Sequence, residues 1–262
     1  MVEDRWDQGD AYERYIGRWS RPIAARFLTM LDAPRGIRWL DVGCGTGALS
    51  AAIVDRCAPT SVLGIDPSAG FLATARARLG DAVVLRQGDA EHLQLEDSSA
   101  DAVVSGLVLN FLPDAAAALA EMVRVTAPGG RLAAYVWDYG NGMQVIHEFW
   151  QAAIEIDPDA AALDEATRFS LCSPAPLAEL FSRATGDEAV VEAIDAPARF
   201  TDFDDYWSPF LAGQGPAPSY LATLDEPHRA ALRERLRERL PRESDGSIVL
   251  STRAWAARAR VN

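Results

Sequence analysis

The 262-residue chain contains no lysine: all 25 basic residues are arginine, set against 38 Asp and Glu for a formal net charge of −13. Without lysine there is no Schiff-base amine and no lysine nucleophile. The excess of acid argues against a nucleic-acid partner, because affinity for a polyphosphate comes mostly from cationic side chains displacing counterions. Cysteine is sparse, and Cys44, Cys57 and Cys172 form no CxxC spacing. That excludes a disulfide framework and a cysteine-based zinc site. The histidines, His92, His147 and His228, form no HxxxH or HxxE pair, so no metal is expected. No stretch approaches the roughly 18 consecutive apolar residues of a membrane span. Met1–Asp10 carries Glu3, Asp4, Asp7 and Asp10 where a signal peptide would be apolar. These absences set the expectation: a cytoplasmic protein acting on a small molecule, with no membrane or nucleic-acid partner. They leave its oligomeric state open.

What is present is a rhythm. Short apolar runs at Ile37–Val42, Val62–Asp66, Val83–Gln87, Ala102–Leu107 and Arg131–Trp137 alternate with helical patterns at Ala48–Arg56, Ser68–Leu79 and Ala115–Thr126. Ala102–Leu107 is apolar without interruption, as a strand buried on both faces should be. The alternation predicts an α/β fold, a doubly wound, mostly parallel sheet with helices on both faces. Before it, Pro22 suits the first turn of a helix reaching about Leu31. After Trp137 the rhythm breaks into amphipathic helices over Met143–Ile156, Ala175–Ala184 and Glu226–Leu240. Strands are expected at Ala189–Ile194 and within Ser247–Val261, and Gly213–Pro218 reads as a loop.

The most informative segment is Leu40-Asp41-Val42-Gly43-Cys44-Gly45-Thr46-Gly47, between a strand and a helix. Glycines let a backbone pass close to a ligand, and the helix beyond offers free N–H groups. Read as Gly-x-Gly-x-x-Ala on Gly43, Gly45 and Ala48, it fits a permissive dinucleotide fingerprint. Asp66 follows Gly45 by 21 residues, near the expected spacing of ~20.

A larger set of segments resembles the class I S-adenosylmethionine-dependent methyltransferases. LDVGCGTG at 40–47 looks like that family's first motif, and GIDPS at 64–68 like its second-strand acid. GDAEHL at 88–93 looks like the adenine turn. DAVVSGLVLNFLPD at 101–114 and RVTAPGGRL at 124–132 look like the fourth strand and the turn into the fifth. The dinucleotide reading accounts for only the first two. The resemblance covers Tyr12 to Trp137 well and the rest in outline. It implies a Rossmann-like fold with N-terminal lid helices over 1–36, a cofactor core over 37–137, and a remainder over 138–262. Substrate-cap insertions are expected at about 138–172 and 201–245.

The resemblance also implies roles. S-adenosylmethionine has an adenine, a ribose diol, a zwitterionic tail and a sulfonium, and no phosphate. Asp66 would accept from both ribose hydroxyls, and Pro67 would pack on the adenine. In the turn at Gly88, Asp89 would accept from the adenine amino group while the Ala90 N–H donates to the ring. Gly43, Gly45 and the Ser105 backbone would face the tail, with Asp41 beside the ammonium. Tyr15 and Arg18 would close over the cofactor, Arg18 meeting its carboxylate through a planar fork. Methyl transfer needs little beyond proximity and exclusion of water, and His147, on the helix after the fifth strand, is the candidate base. The tetrapeptide after strand four is Asn110-Phe111-Leu112-Pro113 and not NPPY, which disfavours the amide- and adenine-methylating subgroups. Aromatics at Tyr139, Phe149, Trp150, Phe203, Tyr206, Trp207 and Phe210 could wall a pocket for a ring-bearing or lipophilic acceptor, or form the core of the cap. The expected activity is methylation of a small, apolar or ring-bearing metabolite. The alternatives are a protein that binds S-adenosylmethionine without methylating, and an NAD(P)-dependent oxidoreductase.

Overall fold

The structure, a computed structural model, describes residues 16–212 and 215–262. Seven strands form one sheet in the order β3-β2-β1-β4-β5-β7-β6. They are β1 (Arg38–Val42), β2 (Ser61–Asp66), β3 (Val84–Gln87), β4 (Ala100–Gly106), β5 (Thr126–Trp137), β6 (Val190–Phe200) and β7 (Ile248–Arg260). The first five are parallel, and β7 runs antiparallel to both of its neighbours. The predicted α/β class and doubly wound topology are therefore what the chain adopts. Between the strands lie α1 (Arg18–Leu31), α2 (Ala48–Cys57), α3 (Ala69–Leu79), α4 (Ala115–Val125), α5 (Gln144–Ile156), α6 (Glu165–Arg168) and α7 (Pro174–Thr185). Then come α8 (Phe203–Trp207), α9 (Pro216–Thr223) and α10 (Glu226–Arg239).

Strand order runs outward from β1 and β4 in opposite directions. Right-handed crossovers therefore put α2 and α3 on one face and α4 on the other. The chain reverses between β1 and β4, so the crevice at their carboxyl ends is where such a sheet offers a ligand site. Local chemistry starts the helices where they are needed. Ser68 accepts from the Phe71 amide at the head of α3, and Asp114 from the Ala117 amide at the head of α4. β1 is buried from Trp39 to Val42, and Val103 and Val104 of β4 are wholly buried, which explains their unbroken apolar runs.

Two expectations at the ends of helices need correcting. Pro22 is the fifth residue of α1, which opens at Arg18. Apolar Trp19, buried, carries the amphipathic pattern upstream of the proline, and Ile23 continues it beyond. Of the expected loop Gly213–Pro218, the part from Pro216 onward is helical: Pro216 is the first residue of α9, where a missing N–H costs nothing.

At the far edge, β6 is eleven residues long, and an open strand of that length invites pairing with another chain. Arg26 and Arg18 of α1 donate to the carbonyls of Asp195 and Arg199. Pro197 between them brings no N–H. The edge is thus closed by side chains, and α1 is tied to it.

Candidate active site

A cavity of about 420 Å³ opens at the carboxyl ends of β1, β2, β4 and β5. Its inner end is built from the turn after β1. The Gly43 and Cys44 amides donate to the Ile65 carbonyl at 2.7 and 3.0 Å, and the Gly47 amide to the Cys44 carbonyl at 2.8 Å. Gly43 has φ +73°, and a Cβ there would stand 2.5 Å from Val108. Glycine is required on both counts. Cys44 is buried with its sulfur against Gly64 and its thiol pushed up by burial, so it fills space and is not a nucleophile.

Two carboxylates sit on this frame. Asp66 is fixed by backbone: one oxygen accepts from the Gly45 amide and the other from the Ser68 amide, both at 2.8 Å. Burial raises its pKa and those two bonds oppose the rise. Asp41 is 1% exposed; one oxygen accepts from the Ser50 hydroxyl at 2.6 Å, and the other, Oδ1, has no protein partner. Burial, with the Asp66 charge adding, pushes Asp41 up to about 7. A buried carboxylate oxygen without a donor is costly, and Asp41 lines the cavity.

Across the crevice the lining is apolar. Ile16 comes from just before α1 and Ser20 from its first turn, Leu107, Val108, Phe111, Leu112 and Pro113 follow β4, and Tyr135, Trp137 and Tyr139 come from β5 and just beyond. Gly106 lets Tyr135 lie across β4, since a Cβ there would meet its hydroxyl at 2.6 Å. Phe27 of α1 packs on the Tyr135 ring at 4.7 Å. Leu107 holds φ +64°, a strained value for a branched residue, pinned by its N–H to the Tyr135 carbonyl at 2.8 Å. Tyr139 is backed by Phe169, which also meets Phe111 at 5.0 Å.

Of the residues singled out from sequence, Asp41, Gly43, Gly45, Asp66, Pro67, Gly88, Asp89 and Ala90 come together on this one cavity. Asp89 is exposed and one of its oxygens accepts from the Glu91 amide. Tyr15 lies outside the described residues. Ser105 is buried and absent from the lining, whereas its neighbour Gly106 reaches it.

Arg18 is placed differently from the expectation. Its guanidinium pairs with Asp205 at 2.8 Å and donates to the Arg199 carbonyl, away from the cavity lining. His147 also stands apart: it is half-buried on α5 near Asp164, while α5 turns Ile146, Phe149 and Trp150 inward. His147 is not among the residues that line the cavity.

Of the seven aromatics expected to wall a pocket, Tyr139 lines this cavity and the other six do not. Those six pack on one another and their neighbours: Phe149 stacks on Phe210 at 4.7 Å, Trp150 meets Tyr220 at 5.4 Å, and Phe203, Tyr206 and Trp207 pack together. Their spacing marked them as buried, and burial between helices looks the same in sequence as burial around a ligand. The residues that sequence reasoning passed over are Phe111, Tyr135 and Trp137. Their signal was topological: they sit where β4 and β5 end.

The profile of a methyltransferase domain matches residues 40–134. A trans-aconitate 2-methyltransferase from Methylobacterium nodulans is 34% identical over 158 residues, 60% of this chain and 59% of that one. A demethylmenaquinone methyltransferase from Lactiplantibacillus plantarum is 42% identical over 99 residues, 36% of this chain and 42% of that one. The chain spans about half the length of the curated relatives it matches. Among solved structures, a Haemonchus contortus phosphoethanolamine N-methyltransferase 2 in complex with S-adenosyl-L-methionine aligns with TM-score 0.57 at 18% identity, covering 97% of this chain and 57% of that one. The (4+2) cyclase SpnF aligns with TM-score 0.53 at 17% identity over 92% of this chain and 81% of its own. These structural likenesses establish the fold. The profile match and the five motifs fall on the same residues, so over 40–134 the chain carries a methyltransferase domain.

Proposed function

We propose that the protein binds S-adenosylmethionine in this cavity and transfers its methyl group to a small, uncharged, apolar or ring-bearing acceptor. The observation that carries the reading is the orphaned Asp41 Oδ1, buried in the wall of a cavity whose charged lining, among the described residues, is Asp41, Asp66 and Asp89. Three carboxylates suit a cofactor with an ammonium and a sulfonium. They oppose a pyrophosphate, which disfavours the dinucleotide alternative.

The residues fit such a cofactor. Asp41 would hold the ammonium, and Asp66, its oxygens fixed by the Gly45 and Ser68 amides, has lone pairs left for a ribose diol. When bound, the sulfonium supplies a methyl group already activated for transfer. The chain's part is to orient the acceptor and keep water away. Phe111, Tyr135, Trp137 and Tyr139 form the apolar surface for both tasks. Trans-aconitate, the acceptor named for one relative, carries carboxylates, and the cavity lining among the described residues includes no cationic side chain to pair with them.

The test is direct. Mass spectrometry of the purified protein should show retained S-adenosylhomocysteine, and calorimetry should show binding of that compound and none of NAD(P). A turnover assay over a panel of neutral metabolites should then find a methylated product. Cofactor binding without turnover on any member would favour a protein that uses the cofactor for structure or regulation.

A further inference from the structure

The first turn of α1 has two faces. A helix advances about 100° per residue, so Ser20, two positions after Arg18, lies about 160° around the axis from it, and Ile16 precedes the helix. Ile16 and Ser20 line the cavity. Arg18 points the other way, into the cap. There its guanidinium donates from Nη1 to Asp205 Oδ1 at 2.8 Å and from Nη2 to the Arg199 carbonyl at 2.9 Å. It also lies over the Phe200 ring at 4.9 Å from the centroid.

The partner is equally constrained. Asp205 Oδ2 accepts from the Thr201 amide at 3.0 Å, and Asp202 caps α8 by accepting from the Asp205 amide at 2.9 Å. The Arg18 guanidinium holds the Asp205 carboxyl below the ordinary carboxylate range. The pair joins residues 187 apart in the chain. Trp19, next to Arg18, meets Phe200 edge-on at 5.6 Å and seats the same turn on β6.

We propose that the Arg18–Asp205 pair is a latch that fixes the first turn of α1 over the cavity, making Arg18 and Asp205 positioning residues for retention of the bound cofactor. The inference rests on the cofactor reading above. The latch touches no ligand; it acts through Ile16 and Ser20, which line the site on the side opposite Arg18, and it adds to the seat that Trp19 makes on Phe200. Both partners are about one-third exposed, so a large effect on global stability is not expected. The effect falls on the opening of one turn, which is a local event.

The experiment uses the full chain and S-adenosylhomocysteine as probe. Dissociation rates are measured for wild type, Arg18→Ala, Asp205→Asn, the double variant and Arg18→Lys. The expected result is a threefold to tenfold faster release in each of the first two (a factor of this order being what a partly exposed, forked ion pair supports). The double variant should be no worse than either single, and Arg18→Lys should restore part of the loss. Hydrogen exchange at residues 16–20 should quicken in both single variants even without ligand. Unchanged release and unchanged exchange would overturn the latch. So would a loss in Arg18→Ala that Asp205→Asn does not share, since that pattern assigns Arg18 to the cofactor itself. Should the wild type fail to bind S-adenosylhomocysteine, the cofactor reading falls, and exchange at 16–20 still judges whether Asp205 holds the turn.

Discussion

The two ends of the cavity are built in opposite ways. At the end under β1 and β2, the polar groups are set by backbone: Asp66 is held by the Gly45 and Ser68 amides, and the turn is held by the Ile65 carbonyl. At the other end the wall is side chain, contributed by α1, the segment after β4, and β5 with its exit. A surface made by backbone is preserved as long as a few glycines and acids are. A surface made by side chains from distant segments changes with each substitution. The first suits a constant cofactor and the second a variable acceptor, in keeping with sites grafted onto a shared fold.

The sharpest way to break this contrast is at Asp66. Asp66→Ala should weaken S-adenosylhomocysteine binding by about thirtyfold to nearly a thousandfold, the equivalent of ~2–4 kcal/mol for charge-assisted bonds to a diol. The structure adds a consequence that the sequence did not suggest. The Gly45 and Ser68 amides also lose their acceptor, so the unfolding midpoint should fall as well. A thermal melt beside the calorimetry separates the two effects, because only the loss of affinity requires the ligand.

Asp41 comes next. Asp41→Asn should lower affinity by about thirtyfold to 150-fold, ~2–3 kcal/mol. Since the free carboxyl titrates at about 7, and an ammonium prefers the charged form, wild-type affinity should fall as the pH drops below 7. The slope should approach about tenfold per unit. Above 7 affinity should level off, and the Asn variant should show no such slope. Calorimetry from pH 5.5 to 8.5 on both proteins checks the sign.

Phe111 tests the other end. Phe111→Ala should raise the acceptor KM about tenfold through lost apolar contact, ~1–2 kcal/mol. S-adenosylhomocysteine affinity should stay within about threefold. A variant that lost both equally would erase the proposed division of the cavity. The smallest effect belongs to His147. From its place beside Asp164, His147→Ala should leave turnover within about twofold and the pH–rate profile unchanged. A fall of roughly a hundredfold or more, the range of a lost general base, would restore it to the chemistry.

Legibility divided along the same line. The turn at 40–47 and Asp66 could be read because strand, glycines and acid are close in sequence and each has one physical job. Arg18 illustrates the other side: its type and neighbourhood suit a cofactor carboxylate, and its pairing with Asp205 from far along the chain is invisible in sequence. For His147, the face it takes on α5 is set only once the helix has something to pack on. The aromatics of α5, α8 and the turn after α8 were correctly apolar, yet they bury one another.

By itself, then, the sequence determined the parallel α/β sheet, its glycine turn and the acids at the strand ends. Period, propensity and backbone geometry act over a few residues and need no distant partner. Only the tertiary structure decided that Phe111, Tyr135, Trp137 and Tyr139 share a wall with Ile16. It also decided that Arg18 faces the cap and that Asp41 keeps an oxygen without a donor. Each of these depends on which segments the fold brings within a few ångströms of one another, and the chain order does not record that.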